Sequence, residues 1–208
     1  MDSSSPVSRD DFQTQKDVVK SIMKSFHVRR GQSQAAVITY GRYSEKLLRF
    51  NSSLSLNDIE SVVDTATSIG GSPRIDEVLV DAADVLRDAI QSIPRIVIMF
   101  TTVRDLTDRH RKAVDKAAEV IHDTGARVYV IAFGKDVDDL SLKKLADSQE
   151  DIFKVPTIKD LNDSMAVEIF RRVGKFFIFG AYCNRTNQII FILFFRIHLI
   201  PFSYSHVC

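Results

Sequence analysis

Cysteine is scarce: the 208 residues hold two, Cys183 and Cys208, both in the last segment. The globular part therefore needs no disulfide, and two cysteines alone do not identify a redox compartment. No charge sign dominates, since the net charge is +1 with Lys/Arg interspersed among Asp/Glu. Without a basic stripe there is no argument for nucleic acid. The sequence has no clean stretch of about 20 apolar residues, so no membrane span is expected. A polar Asp2-Ser3-Ser4-Ser5-Pro6 run stands where a signal peptide would carry its apolar core, so none is expected in the chain as given. Enzyme signatures are missing too. No G-x-G-x-x-G follows a strand, there is neither a P-loop nor a G-x-S-x-G elbow, and no serine has a placed histidine. His27, His110 and His122 are scattered without metal-ligand spacing and read as surface residues.

What is present is regular alternation. Val19, Ile22, Met23 and Phe26 make one stripe of a helix over roughly Arg9 to His27. Gln34–Tyr40 and Glu45–Phe50 read as strands joined by a tight turn at Gly41-Arg42-Tyr43, hence antiparallel. A short helix over Leu56–Thr67 starts at Ser55 or Asn57, and Gly70-Gly71 then breaks the chain. Ile75, Leu79, Ala82, Leu86, Ala89 and Ile93 line a long helix ended before Pro94. Arg95–Phe100 and Val128–Phe133 are continuous apolar runs, as expected of strands covered on both faces. Between them Ala113, Ala117, Val120 and Ile121 mark a helix closed by Gly125. A short helix at Val137–Ala146, a strand at Ile152–Val155 and a terminal helix with Leu161, Met165, Ile169, Val173 and Phe176 complete the pattern. The fold expected is α/β: a doubly wound, mostly parallel sheet with one antiparallel edge strand and helices on both faces. Ligands of such sheets sit at the carboxyl ends of the strands.

Two segments bring oxygen-bearing side chains to that end. Asp2 and its serines lie directly before the first helix, which suits either an oxygen-bound cation or ordinary capping. Ser72 precedes the long helix, where it reads as a cap with Pro73 at the first helical position and Asp76-Glu77 favoured by the macrodipole. Asp138-Asp139 reads as capping the short helix. Arg104, Arg109 and Arg111 fit a solvated loop and helix start, or a dock for an acidic partner.

Asp2-Ser3-Ser4-Ser5-Pro6-Val7, the helix with Phe12 and Lys16-Asp17, the AAVITYG strand, Gly70-Gly71 before a long helix, and Gly125–Gly134 (GARVYVIAFG) together resemble a von Willebrand factor type A domain, of the matrix type found in collagens and matrilins. The resemblance covers about residues 2–175 and leaves 176–208 as an apolar tail. It implies a metal-ion-dependent adhesion site, and the residues here depart from it. In the Asp-x-Ser-x-Ser loop Asp2 and Ser4 match, but the last position is Pro6. After Gly70-Gly71-Ser72 the expected threonine is Pro73. The aspartate expected after the central strand is Thr102. Mg²⁺ gives up its waters reluctantly and wants anionic oxygens, so Asp2 and Ser4 read as a remnant site without a bound cofactor. Ser5, Ser72 or Asp105 would have to substitute for the lost ligands. Ser3, Ser5, Ser72, Arg74, Thr102 and Arg104 are the candidates to face a ligand.

The resemblance implies a non-catalytic protein-binding or adhesion module of an extracellular, secreted protein. Its partner would be an extracellular matrix or cell-surface protein. Three N-x-S/T sequons at Asn51, Asn162 and Asn184 suit that location. The alternative is a Mg²⁺-dependent receptor module that binds a ligand carboxylate, in the manner of an integrin inserted domain.

In that family the Asp-x-Ser-x-Ser loop leaves a central apolar strand, and here only Met1 precedes Asp2. The first central strand is therefore expected to be missing, and the chain to be an incomplete or mis-joined product. About six buried apolar residues, at roughly 1.5–3 kcal/mol each, would be lost, on the order of 10 kcal/mol. That is comparable to the whole stability of a domain. The run Ile189–Phe195 (IIFILFF) has the composition of a doubly buried strand and is the candidate to enter the vacant slot between Gln34–Tyr40 and Arg95–Thr101. The other expectation is a loosely packed tail and an open cleft.

Overall fold

The computed structural model describes residues 1–4, 7–25, 34–50, 54–89, 95–104, 106–134, 137–161, 168–169, 171–172 and 190–192. Its elements run α1 (Arg9–Ser25), β1 (Gln34–Tyr40), β2 (Ser44–Leu48), α2 (Leu56–Thr65), α3 (Ile75–Arg87), β3 (Arg95–Thr101), α4 (Asp108–His122), β4 (Arg127–Phe133), α5 (Asp139–Leu145), β5 (Ile152–Val155) and β6 (Ile190–Ile192). The terminal helix is described only at Glu168, Ile169, Arg171 and Arg172, so most of that expectation lies outside the described residues, as do Phe26, His27 and Ile93.

The strands form one sheet in the order β2-β1-β6-β3-β4-β5. Among the described residues only the β1–β2 pair is antiparallel, with Val37 opposite Leu48 and Tyr40 opposite Ser44. β3 and β4 pair in parallel from Ile96–Arg127 to Thr101–Ala132, and β5 continues the parallel set beside β4. The unbroken apolar runs follow from this layering, because alternate residues of one strand point to opposite faces. Ile96, Ile98 and Phe100 join a core with α1 and α2, while Val97 and Met99 join a second core with α3 and α4. Each interior strand thus needs apolar residues at every position.

Local signals set the helix boundaries. Ser55 and Asp58 form a reciprocal capping box at the start of α2. Thr107 caps α4 and Asp138 caps α5, as expected for Asp138. α3 ends at Arg87, earlier than its apolar stripe suggests. Gly125, at φ 70°, turns the chain from α4 into β4.

The central slot is not empty. β6 lies between β1 and β3, parallel to both, with Phe191 opposite Ala35 on one side and Ile96 on the other. Its described residues face the first three of each neighbour. Beyond it the beginning of the chain takes over along β1. The Met1 amine donates to the Ile38 carbonyl (2.8 Å), and Asp2 bridges Tyr40 in parallel fashion. Tyr40 N–H donates to Met1 O (3.1 Å) and Ser3 N–H to Tyr40 O (2.7 Å). The strand expected to be missing is replaced from both ends of the chain, because the unpaired edges of β1 and β3 demand hydrogen-bond partners.

Candidate functional site

The slot opens at the carboxyl ends of β1 and β3, where Asp2 is wholly buried together with Ser3 and Ser4. One oxygen of the Asp2 carboxylate accepts from Ser4 N–H (3.0 Å) and the Ser4 hydroxyl (2.7 Å). The other accepts from Thr102 N–H (2.9 Å) and the Thr102 hydroxyl (2.8 Å). A carboxylate offers about four lone-pair sites, and all four are used here.

Several elements hold this carboxylate in place. Gln15, buried on α1, clamps the Asp2 backbone in both directions: Asp2 N–H donates to Gln15 Oε1 (2.9 Å) and Gln15 Nε2 donates to Asp2 O (2.7 Å). The Ser3 hydroxyl donates to Tyr40 O (2.9 Å), and Ser3 O accepts from Gly70 N–H (2.8 Å). Tyr40 extends below and donates its phenol to Phe100 O (2.7 Å). Burial, and then the neighbouring Asp2 charge, push the Tyr40 phenol well above its ordinary pKa. Burial also pulls the Met1 amine down to about 5, against a smaller opposing pull from Asp2.

The loops above Asp2 are tightly fitted. Gly71 takes φ 76°, and a Cβ there would lie 2.5 Å from the Cβ of Arg42. Arg74 N–H donates to Gly41 O (2.9 Å), tying this loop to the β1–β2 turn. That tie delays the helix. Arg74, not Ser72, stands at the N-cap of α3, with no side-chain cap, and Pro73 precedes the helix instead of opening it. The expected capping by Ser72 is therefore corrected.

The ligand-facing candidates separate by exposure. Ser3 and Ser4 point inward and are fully buried, so neither presents a hydroxyl to a partner. Thr102 is 6 % exposed and spends its hydroxyl on Asp2. Ser72, Arg74, Thr102 and Arg104 line a cleft of about 230 Å³, with His110 of α4 on its far wall. Arg74 is held by Asp76 (3.1 Å) and Glu77 (2.8 Å), which raises its already high pKa. Arg104 is exposed and has no ion pair among the described residues. Arg111, the third arginine of that stretch, reaches Asp138 (3.3 Å). Ser5, Pro6 and Asp105 lie outside the described residues.

Gln15 was not among the sequence candidates, although the sequence carried a signal. It is the polar residue in an otherwise apolar stripe of Phe12, Val19 and Ile22, all buried. Such a polar residue needs a buried partner, and the Asp2 peptide is that partner.

A profile of the von Willebrand factor type A domain matches residues 1–167. The chain belongs to the von Willebrand factor type A domain family. It is 26% identical over 165 residues to von Willebrand factor A domain-containing protein 2 of Xenopus laevis, covering 77% of this chain and 20% of that protein. It is 23% identical over 174 residues to the collagen alpha-5(VI) chain of Mus musculus, covering 84% of this chain and 6% of that protein. This type A domain chain thus spans a fifth or less of these curated relatives. Among solved structures it resembles proximal thread matrix protein 1 of the mussel byssus, with TM-score 0.71 and 18% identity over 81% of this chain and 45% of that one. That likeness establishes the fold; the proteins named include a collagen chain and a thread matrix protein.

Among the described residues the donor set lacks the anionic oxygens that a divalent cation at the family's adhesion site calls for. Among the described residues Asp2 supplies the one carboxylate held at this position, and its lone pairs are taken by protein donors. Among the described residues no three His, Cys, Asp or Glu side chains converge. A Mg²⁺ ion would have to displace Ser4 and Thr102 from Asp2 and would gain one negative charge, where its dehydration calls for more. No helix among the described residues is long and apolar enough to cross a membrane.

Proposed function

We propose that residues 2–175 form a non-catalytic protein-binding module of an extracellular matrix-type protein, and that the module binds its partner with little dependence on a divalent metal. The tail, 176–208, supplies the module's β6. The observation that carries the metal-independent reading is the saturation of the Asp2 carboxylate by Ser4 and Thr102. A hydrogen-bonded latch takes the position of a metal and holds together the loops that form the binding face. Among the described candidates, Ser72, Arg74 and Arg104 are the residues left to meet a matrix or cell-surface partner. Kinship to matrix proteins supports both the adhesive role and an extracellular location.

Titration calorimetry with Mg²⁺ and Mn²⁺ tests the reading directly. No saturable heat is expected below millimolar concentration. Saturable sub-millimolar binding that disappears in Asp2→Ala would favour the Mg²⁺-dependent receptor module instead.

A further inference from the structure

The central strand is the chain's own tail. Among the described residues, Ile190–Ile192 pair with Gln34–Ala36 of β1 and Arg95–Val97 of β3. The apolar run around it is longer, from Ile189 to Phe195. The slot is in the middle of the sheet, between walls whose residues are almost wholly excluded from solvent: Ala35, Ala36, Val37, Ile96 and Val97. Left open, it would expose two strand edges and an apolar cleft, a strong drive to be filled by any matching strand.

Each copy of the chain carries both the slot and the strand that fits it. Residues 173–189 separate the last described helical residue, Arg172, from β6. Seventeen residues (189 − 172) reach up to about 55 Å when extended. A domain of this size has a radius of gyration of roughly 17 Å. The leash is therefore long enough to carry β6 out of its own slot and into a neighbour's. The pairs made in the neighbour would be the same pairs, so the two arrangements differ mainly in connection entropy, which changes slowly with length.

We propose that β6 is an exchangeable strand, and that this chain self-associates by donating Ile190–Ile192 to the slot between β1 and β3 of a second copy. The surface recognised is the pair of edges of Gln34–Ala36 and Arg95–Val97, and the partner is the same tail of another molecule. Protein concentration then sets how much of the chain is joined.

A cysteine pair at one register position reads this out. Val97 and Ile192 are opposite each other. In a Cys183→Ser, Cys208→Ser background, Val97→Cys and Ile192→Cys are made singly and together. The two single variants are then refolded as a mixture under mild oxidation. A disulfide-linked heterodimer is expected from the mixture, its yield rising with protein concentration and absent when either variant is refolded alone. If the double variant closes as a monomer at every concentration while the mixture does not link, exchange is refuted. Absence of any link, including in the double variant, refutes β6 as the occupant. Light scattering on the unmodified chain gives an independent reading: a dimer fraction growing with concentration is expected, and a monomer throughout overturns the proposal.

Discussion

Thr102 and Asp2 are 100 positions apart in sequence and share two hydrogen bonds, from the threonine N–H at 2.9 Å and its hydroxyl at 2.8 Å, to one carboxylate oxygen. The position where the family resemblance calls for a second acid carries a neutral donor, and the donor is aimed at the first acid. Two carboxylates there would repel unless a cation lay between them. A threonine at this position avoids that repulsion and donates to Asp2 instead.

Reversing that substitution should create metal dependence. Thr102→Asp is expected to lower the unfolding midpoint in chelator, because a second buried carboxylate faces Asp2 and the hydroxyl donor is lost, leaving only the backbone N–H of residue 102. Millimolar Mn²⁺ or Mg²⁺ should restore part of the loss by mass action on the folded state. Thr102→Val should cost about 1–3 kcal/mol, for a buried acceptor left short of a partner, and should not respond to metal. Thermal melts with and without chelator check both. Equal metal responses in the parent and Thr102→Asp would reject the account of Thr102 as a neutral substitute.

Gln15 is expected to matter more than a helix glutamine should. Its side chain satisfies both the N–H and the C=O of Asp2 inside the core. Gln15→Leu keeps the size and removes both bonds, orphaning two buried backbone groups at about 1–3 kcal/mol each. Urea unfolding should show a loss of at least about 2 kcal/mol, whereas Gln13→Leu, on the exposed side of the same helix, should change little. A neutral Gln15→Leu would mean that the Asp2 peptide is not held as described.

Stability should rise with pH between about 5 and 8 through the Met1 amine. In the folded chain burial lowers its pKa from 8.0 to about 5, so across that interval the unfolded chain binds one more proton than the folded one. Stability is therefore lost as pH falls from 8 towards 5 and changes no further from this group below 5. The slope contributed approaches about 1.4 kcal/mol per pH unit in mid-interval. Urea unfolding at several pH values measures it, and acetylation of the amine should remove this part of the slope. An unchanged slope after acetylation would show that the amine does not titrate in this way.

Much of the architecture could be read in sequence because its causes are local or periodic. Ile96–Phe100 had to be an interior strand, since apolar residues at consecutive positions satisfy two cores at once. Ser55-x-x-Asp58, Thr107 and Asp138 carry their capping chemistry within a few residues. The departures from the family's ligand pattern at Pro6, Pro73 and Thr102 are a matter of side-chain type alone, so they too are read from the sequence.

Other features depended on what lies across the fold. Ser72 had the local signature of a cap, yet the bond from Arg74 N–H to Gly41 O moves the start of α3 past it. Ser3 had the composition of a ligand-facing hydroxyl, but pairing with Tyr40 and Gly70 turns it inward. The sequence alone established that a central strand was needed and that Ile189–Phe195 had the composition for it. Which strand occupies the slot was decided only by the tertiary structure, because strand pairing joins positions such as Phe191, Ala35 and Ile96 that no local rule connects.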